Sequence, residues 1–486
     1  MGWNSWNEYG CDIKDSDFTK VGELLISLGL KDVGYEYVNI DDCWSDKEKR
    51  RDPTTKEIIP DAIKFPQGIS HTAEVIHSMG LKLGIYSDAG LYLPIIAHHA
   101  TWLDTTARRA VLIDGIPQAP THAEAIPVHS ATKKLMQHPS ASGGLIVSQV
   151  LGYYSIYVLC HPHTLADCLL GCTADLKYDN CNVPTEFTDE YEYTPEGQGS
   201  NAPIGYDWGT SRTAKRYNAM RDALLKQNRT IQYSLCAWGH AHVEKWGNGT
   251  GHSWRMWGDI MPAWGGKSEW SWGLMPIVNQ ASFLWNATDF WGHNDWDMLE
   301  VGNGNLTIEE NRSHFALWCM LKSPLIIGTR LDTIEKPILE ILSNKELIAF
   351  NQDPVYGASA MPLKWGYNED GTSDMVHPAE YWVGTSVKGL HLFMLNTQDK
   401  AVKMQVQFNS IPALRHRANA EYLVHDMWTG KDLGRFRGKI ALNVAPHDTA
   451  ALRITTIHGT VASLIQVLLF YADHMAGHHP RPEWTP

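Results

Sequence analysis

The chain has 486 residues, of which 43% are hydrophobic and 20% charged, a balance that excludes an intrinsically disordered protein. Its net charge of -13 repels phosphate backbones, and the sequence has no basic stripe longer than residues 49–51, so nucleic acid is not an expected partner. The length fits a β/α barrel, which takes roughly 250 to 400 residues, followed by a smaller module.

Strand-like runs alternate with helical patterns through residues 1–350. The opening segment and seven later runs give eight predicted strands, the later ones at residues 35–42, 81–88, 176–181, 231–236, 253–259, 287–297 and 324–329. Helical periodicity lies between them, for example at 17–28 and 211–227. The pattern predicts a (β/α)8 barrel of the TIM type over residues 1–350.

The pattern of hydrophobic and polar residues changes after residue 351. Short alternating runs separated by turn residues occupy 380–387, 389–396, 403–408 and 449–454. These runs predict a C-terminal antiparallel β-sandwich over residues 351–456.

Two segments do not fit this pattern. Residues 91–173 contain one Trp and no βαβ period, so we expect an atypical insertion that lacks a regular third βα unit. Residues 457–486 form an atypical tail, whose apolar run at 461–471 is shorter than the roughly 20 residues that span a bilayer. The sequence therefore predicts no membrane partner.

The eight cysteines include no pair of Cys-x-x-Cys units, so the sequence predicts no structural metal. Cys11 and Cys43 follow the first two predicted strands, which favours a bridge between neighbouring loops and an oxidising, extracellular compartment. Asn-x-Ser/Thr sequons, which suit a secreted protein, begin at Asn228, Asn248, Asn286, Asn305 and Asn311. No signal peptide is visible before the first predicted strand, so we expect the natural amino terminus to precede Met1.

Six motifs of acidic and aromatic residues lie where predicted strands end, at residues 3–7, 39–44, 86–88, 176–181, 254–259 and 294–297. A parallel barrel gathers the carboxyl ends of its strands on one face, so these side chains are expected to line one pocket. Carboxylates with flanking Trp are the groups that bind and cleave sugars.

Residues two apart on a strand share a face. Lys177 is therefore expected beside Asp179, where its charge would keep the carboxylate ionised, as a nucleophile requires. Asp259, on the same side as Arg255, is the candidate for a second carboxyl that acts as general acid. Retaining glycoside hydrolysis needs two such carboxyls about 5 to 5.5 Å apart.

The acidic motifs can also be interpreted as structural rather than catalytic. Asp179 could belong to a turn after a strand, and Asp259 could cap a helix. Asp295 and Asp297 share a strand face and could bind a cation, although hard cations usually take more oxygen ligands.

The remaining motifs can be interpreted as structural too. Trp3 and Trp6 could fill the barrel, and Tyr86 could be a buried tyrosine with a backbone partner. Of Asp41 and Asp42, one could face the pocket and the other a loop, because adjacent side chains on a strand point in opposite directions. The joint placement of all these motifs at strand ends favours the functional reading.

The motifs resemble those of glycoside hydrolase family 27, the α-galactosidases and α-N-acetylgalactosaminidases, and most of all its fungal members. The resemblance covers residues 1–90 and about 175–454, and its motifs at 1–7, 40–44 and 83–90 follow the family order, as do residues 176–181. It implies a (β/α)8 barrel followed by a β-sandwich, with no cofactor and no metal. A disulfide between Cys11 and Cys43 is similar to one of the family's own.

The resemblance also implies roles for individual residues. Asp179 is the implied nucleophile and Asp259 the implied acid/base. The implied sugar-binding side chains are Trp6, Asp41, Asp42, Tyr86, Lys177, Arg255 and Asp297. The expected function is release of terminal α-linked galactose from galacto-oligosaccharides, galactomannans or glycoconjugates by double displacement.

Substrate choice is expected to depend on the loop after the fifth predicted strand, where the family reads the substituent on the second carbon of the sugar. Ala237 is small enough to admit an N-acetyl group, whereas His240 is bulky and polar; Trp238 lies between them and is expected to contact the substrate. Asp41 suits the 6-hydroxyl of a hexose. We expect galactose as the substrate sugar, with α-N-acetylgalactosaminidase activity as the alternative.

The sequence departs from the family pattern at residues 91–173. The family has there a short loop and a helix, with a Cys that bonds the position of Cys181; the partner here could be Cys160, Cys168 or Cys172. This departure leaves a second alternative, a relative whose catalysis is impaired by the insertion.

Overall fold

The computed structural model describes residues 1–55, 57–89, 173–195, 199–366 and 372–457. In chain order, the strands of the amino-terminal part are β1 (Gly2–Asn4), β2 (Tyr37–Ile40), β3 (Lys82–Asp88), β4 (Thr173–Asp179), β5 (Tyr193–Thr194), β6 (Gly199–Ser200), β7 (Gln232–Cys236), β8 (Ser253–Arg255), β9 (Asp259–Ile260), β10 (Ser271–Trp272), β11 (His293–Asp295) and β12 (Ile326–Ile327). The α-helices described there are α1 (Trp6–Tyr9), α2 (Asp15–Ser27), α3 (Gly68–Ser78), α4 (Arg212–Leu224), α5 (Leu274–Leu284), α6 (Ile308–Met320), α7 (Lys336–Leu342) and α8 (Lys345–Asn351).

Eight of these strands form a parallel sheet in the order β11-β8-β7-β4-β3-β2-β1-β12. Its two edges meet at a parallel bridge between Leu299 and Ile327, where the Leu299 N–H donates to the Ile326 carbonyl at 2.7 Å. The Gly328 N–H donates in turn to the Leu299 carbonyl at 2.9 Å. The sheet is thus closed into a barrel, which confirms the predicted fold class.

The barrel has an apolar wall and a polar interior. In β2, Val38 and Ile40 belong to the hydrophobic core, while Asn39 and also Ile40 line a cavity. The cavity has a volume of about 50 Å³ and is lined by residues from all eight strands, among them Lys177 and Arg255, so it lies inside the barrel. Polar side chains from several strands therefore meet inside the barrel.

Helix positions follow from apolar spacing and capping. Helix α2 buries Phe18, Val21 and Leu25, which recur three and four residues apart on one face. Helix α4 begins after Ser211, whose side chain accepts a hydrogen bond from the Ala214 N–H at 3.0 Å. These two helices lie close to the predicted spans 17–28 and 211–227.

Some strands are shorter than predicted, and their boundaries matter for the site. The predicted strand at 253–259 ends at Arg255, and Asp259 begins the separate strand β9. The predicted strand at 287–297 is β11 alone, which ends at Asp295; Asp297 has a φ of 86°, which extended backbone cannot adopt. Both acidic residues thus lie beyond the ends of the strands that lead to them.

The carboxyl-terminal part is an antiparallel β-structure, with β13 (Met361–Trp365), β14 (Ala379–Ser386), β15 (Gly389–Leu395), β16 (Val402–Gln407), β17 (Glu421–Asp426), β18 (Lys431–Arg437), β19 (Lys439–Val444) and β20 (Thr449–Thr456). A six-stranded sheet in the order β13-β14-β15-β20-β17-β18 faces the pair β16-β19 across a core of its own, which includes Leu392, Val406 and Ile440. This arrangement confirms the predicted sandwich. The domain limits at residues 350 and 456 stay a prediction.

The structure joins Cys11 and Cys43 in a disulfide, as the resemblance implied. Cys181 forms no disulfide with another described cysteine. Within the described ranges, no helix has the length and apolar character needed to cross a membrane. The predictions made for 91–173 and 457–486 lie outside the described residues, except at Thr173 and Ile457.

Candidate active site

The carboxyl ends of the barrel strands carry most of the predicted site residues. Asp41 and Asp42 follow β2, Tyr86 belongs to β3, Lys177 and Asp179 to β4, Arg255 to β8, and Asp297 follows β11. Contacts between these side chains cross from strand to strand, so residues far apart in the sequence share one site.

Asp179 is buried, and both of its carboxylate oxygens accept hydrogen bonds. The Tyr86 hydroxyl donates to Oδ2 at 2.9 Å, and the Asn180 N–H donates to Oδ1 at 2.7 Å. Burial raises the pKa of Asp179, the positive charge of Lys177 lowers it, and the negative charge of Asp259 raises it again. The carboxylate is therefore held in one orientation at the end of β4 rather than in a free turn.

Lys177 forms an ion pair with Asp41, and its charge also lowers the pKa of the neighbouring Asp179 against burial, which is the predicted direction. The Nζ atom of Lys177 donates to Asp41 Oδ2 at 2.8 Å, and the Asn4 amide donates to the same oxygen at 2.8 Å. Burial acts to lower the pKa of Lys177, but the charges around it, that of Asp41 first, together outweigh burial and raise the pKa well above its ordinary value. Lys177 reaches Asp179 only through space, because the side chain extends across the barrel toward β2.

Arg255 links the residues on the other side of the pocket. Its Nη2 atom lies 3.0 Å from Asp259 Oδ1 and 2.7 Å from Asp297 Oδ2. The Arg255 side chain is 5% exposed, whereas that of Asp259 is 46% exposed. Asp259 is thus the solvent-facing carboxylate of the site, and it begins a strand rather than capping a helix.

Asp297 connects three elements of the barrel. Besides the ion pair with Arg255, its Oδ2 accepts the Ile260 N–H at 2.9 Å, and its Oδ1 accepts the Met298 N–H at 2.8 Å. Burial raises the pKa of Asp297 to about 6, against the attraction of Arg255. Asp297 therefore fixes the backbone next to Asp259 as well as the guanidinium that contacts it.

Asp42 is buried, and burial raises its pKa to about 7. Its Oδ1 accepts the Cys43 N–H at 2.6 Å. Its Oδ2 has no hydrogen-bond partner among the described residues. Such an oxygen is available to accept a hydroxyl from a bound ligand.

The aromatic residues of the predicted site divide into wall and pocket. Trp3 is fully buried, and its indole N–H donates to the Thr329 carbonyl at 2.9 Å, so Trp3 belongs to the barrel packing. Trp6 begins helix α1 and is only partly buried. The Trp44 indole N–H donates to the Tyr86 carbonyl at 2.9 Å, which holds the strand that carries the Tyr86 hydroxyl.

The loop after β7 is folded tightly. Trp238 has a φ of 52° and Gly239 a φ of 77°, and a Cβ on Gly239 would lie 2.3 Å from the Met256 carbonyl, so only glycine fits there. Ala237 is fully buried, and the Trp238 and His240 rings meet edge to face at 5.8 Å. Burial lowers the pKa of His240, which favours the neutral imidazole.

Two site residues were not predicted from the sequence. Asn4 donates to Asp41, and Cys236 lies at 3.8 Å from Nη1 of Arg255. Asn4 lies inside the motif at residues 3–7, and Cys236 is the last residue of a predicted strand, so position at a strand end was the available signal. Within the described ranges, no group of three or more His, Cys, Asp or Glu residues could hold a metal ion.

Two family models match the chain. Residues 1–98 and 205–353 match the model described as alpha galactosidase A, and residues 376–454 match that of the alpha galactosidase C-terminal beta sandwich domain. The first match includes Asp41, Tyr86 and Asp259 but not Asp179, which lies in the unmatched interval.

Fungal proteins are similar over most of the chain. The probable alpha-galactosidase B of Aspergillus oryzae is 46% identical over 470 residues, which cover 93% of this chain and 92% of that protein. The Aspergillus fumigatus protein of the same name is 45% identical over 472 residues, covering 93% of this chain and 96% of its own.

Solved structures agree with the fold. The alpha-galactosidase I from Mortierella vinacea superposes with a TM-score of 0.67 at 28% identity, covering 94% of this chain and 96% of its own. The alpha-galactosidase of Saccharomyces cerevisiae gives a TM-score of 0.68 at 24% identity, over 94% and 97% of the two chains, and supports the fold alone. The chain therefore belongs to the alpha galactosidase (melibiase) family, of the fungal type that the motifs indicated.

Proposed function

We propose that this chain hydrolyses terminal α-linked galactosides with net retention, with Asp179 as nucleophile and Asp259 as general acid and base. The observation that carries the proposal is the contrast between the two carboxylates. Asp179 is buried and fixed by two hydrogen bonds, whereas Asp259 is half exposed beside Arg255. The family membership and the names of the fungal relatives support the same activity.

The surroundings of Asp179 suit a nucleophile. The hydrogen bonds from Tyr86 and Asn180 favour the ionised form, and the charge of Lys177 does the same. Burial acts in the opposite direction, so the carboxylate is poorly solvated and gains from reacting with a developing oxocarbenium ion. In the first step, an Asp179 oxygen bonds to the anomeric carbon as the glycosidic bond breaks.

The surroundings of Asp259 suit a group that exchanges protons. Asp259 would donate its proton to the departing glycosidic oxygen, and its exposure allows the leaving group to diffuse away. It would then take a proton from water, whose oxygen attacks the anomeric carbon and releases Asp179. Two inversions return the α-anomer, which is the retaining outcome.

Sugar recognition is assigned to the polar and aromatic groups around these carboxylates. Asp41 and Asp42 lie at one side of the pocket, with the unpartnered Asp42 Oδ2 ready to accept a sugar hydroxyl. Arg255 and Asp297 lie at the other side and are linked to each other. Trp6 offers a partly exposed indole for the apolar face of the ring.

We assign galactose rather than N-acetylgalactosamine to the site. Ala237 leaves space, but the partly buried His240 and the Trp238 ring packed against it limit that space. We expect kcat/KM for α-N-acetylgalactosaminides to be about tenfold lower than for α-galactosides, since small differences in pocket contacts have effects of that order. Comparable values for the two substrates would instead support the α-N-acetylgalactosaminidase alternative.

The test is turnover of 4-nitrophenyl α-galactoside, with the anomer of the released galactose followed by proton NMR. Early appearance of the α-anomer is expected, and early β-anomer would exclude retention. A folded chain with no turnover would support the alternative of an impaired relative. The Cys11–Cys43 disulfide suits an oxidising compartment and supports secretion, which detection of the protein in culture medium would test.

A further inference from the structure

The residues that follow Asp259 form a compact loop, which we call the acid loop and define as residues 261–270. It leaves from β9 and returns through β10, whose Ser271 pairs with Asp259. The Met261 N–H donates to the Trp272 carbonyl at 2.9 Å, which closes the base of the loop. The position of the Asp259 backbone is therefore tied to this loop.

Trp264 connects the acid loop to helix α5. Its carbonyl accepts the Met275 N–H at 2.9 Å, and the neighbouring Ala263 carbonyl accepts the Leu274 N–H at 2.9 Å. These bonds satisfy carbonyls of the loop with N–H groups from the first turn of the helix, which have no partner within the helix. A shift of Trp264 would consequently disturb the attachment of the loop to helix α5.

The Trp264 ring stacks on His447, which belongs to the sandwich. The ring centroids are 4.4 Å apart and the planes differ by 10°. His447 lies between β19 and β20, so the sandwich contacts the loop that carries the acid/base.

Several contacts fix His447 in place. Its Nδ1 lies 2.7 Å from Glu310 Oε1, its Nε2 lies 3.0 Å from Asp399 Oδ1, and its carbonyl accepts the Ser313 hydroxyl at 2.5 Å. Its φ of 57° is in the left-handed region. A non-glycine residue keeps such a conformation only where its surroundings hold it, and these occur often at functional positions.

We propose that His447 is a positioning residue for Asp259, acting through Trp264. The inference rests on the proposed function, because it assigns the acid/base role to Asp259. Asp259 has a half-exposed side chain, so its orientation depends on its backbone and on Arg255 more than on packing. By stacking on Trp264, the His447 ring restrains the acid loop and with it the Asp259 backbone. A residue of the sandwich thereby helps to position the acid/base.

The decisive variant is His447→Asn, since asparagine accepts the left-handed backbone but lacks the ring. We expect kcat/KM for raffinose, whose sugar leaving group needs a proton, to fall about fivefold, because small misplacements of a catalytic group are costly. For 2,4-dinitrophenyl α-galactoside, which needs little proton donation, the loss should stay below about twofold. Trp264→Leu approaches the same contact from the loop and should give the same pattern.

The matched control is Arg312→Gln. Arg312, on helix α6 of the barrel, pairs with Asp448 of the sandwich at 2.9 Å and stacks on Trp428. Its loss therefore weakens the junction between barrel and sandwich without changing the contact between His447 and Trp264. This variant should lower the unfolding temperature yet leave the ratio of the two kcat/KM values unchanged.

Equal losses on both substrates in His447→Asn and Trp264→Leu, or no loss in either, would overturn the inference while leaving the proposed function intact. A wild-type chain that cleaves neither substrate would overturn both. A changed ratio in Arg312→Gln as well would show a general effect of the junction and would also overturn a specific role for His447.

Discussion

The two sides of the pocket are built in different ways. The nucleophile side, which consists of Asp41, Tyr86, Lys177 and Asp179, lies on or next to consecutive barrel strands and is tied by direct side-chain bonds. The acid side, which consists of Arg255, Asp259 and the acid loop, begins where β8 has already ended. The sheet itself therefore fixes the buried carboxylate, whereas the exposed one depends on a loop and on contacts beyond the barrel.

The largest expected effect is on the nucleophile side. Asp179→Ala should lower kcat by about ten-thousandfold or more, because the variant has no carboxylate to form the glycosyl intermediate. Added azide should restore part of the activity on an aryl galactoside and yield the β-galactosyl azide, which NMR identifies. Azide rescue with an α-linked product, or near-normal activity without azide, would contradict the assignment.

Asp179→Asn provides the matched control for folding. Burial raises the pKa of Asp179, so the ionised carboxylate costs stability in the folded state. The asparagine variant should therefore be inactive yet unfold at a temperature no lower than that of the wild type at pH 7. A marked loss of stability would show that the carboxylate is structural as well.

The second effect is on the acid side. Asp259→Ala should reduce kcat/KM about a hundredfold for raffinose but less than about tenfold for 2,4-dinitrophenyl α-galactoside, since a good leaving group departs without a proton. Its unfolding temperature should stay near that of the wild type, because the side chain is half exposed. Equal losses on the two substrates would argue for a binding role.

The third effect is on the free energy of unfolding, and it compares a buried ion pair with an exposed one. Lys177→Met should lower the free energy of unfolding by about 3 to 5 kcal/mol, because it leaves the Asp41 carboxylate buried without its cation. The control is Lys82→Met, which breaks a pair with Glu36 whose side chains are 47% and 48% exposed; its cost should stay below about 1 kcal/mol.

A double variant tests the reason for that cost. Lys177→Met combined with Asp41→Asn should recover part of the lost stability, since the uncompensated charge is gone. Urea unfolding curves give the free energy of unfolding of the wild type, Lys177→Met, Lys82→Met and the double variant. Similar losses for Lys177→Met and Lys82→Met would show that the buried pair is no stronger than a surface pair.

Strand ends of a parallel barrel converge by construction, so the sequence predicts which side chains gather there. The positions of Asp179, Tyr86 and Arg255 indicated that they lie at one end of the barrel, and apolar runs indicated the eight strands. The roles of these residues stay predictions. Alternation along β4 predicted that the charge of Lys177 acts on Asp179, which it does, but it gave no sign of the ion pair with Asp41. Alternation says which face a side chain takes, but not how far it reaches across the barrel. Asp41 is 136 residues away from Lys177 in the sequence.

The acid side was harder to predict for a related reason. The alternation rule extended β8 to Asp259, but the chain turns out of the sheet after Arg255. The contact between Trp264 and His447 joins two domains, and no local pattern marks either residue. Features that rest on long-range packing were missed, while features that rest on strand geometry were found.

The smallest expected effect concerns the pH dependence of stability, which follows from three buried carboxyls of the barrel. Burial raises the pKa of Asp42, Asp175 and Glu300 to about 7 each. Between about pH 4.5 and pH 7 the folded chain therefore holds protons that the unfolded chain has released. Their stabilising contribution is complete below about pH 4 and is lost as the pH rises to 7, so the unfolding temperature should fall from pH 5 to pH 7.5.

Glu300 is the member of this set best suited to a test. It accepts hydrogen bonds from the amides of Asn7 and Asn303, and the Asn7 amide can turn to accept from a glutamine at this position. Glu300→Gln removes one titrating group, so the free energy of unfolding should change less over this pH interval than in the wild type, by on the order of 2 to 3 kcal/mol. Scanning calorimetry at pH 5.0 and 7.5 measures the difference. Parallel curves for the wild type and the variant would show that Glu300 is already ionised in the folded chain at pH 5, and that the amides of Asn7 and Asn303 stabilise its charge more than burial opposes it.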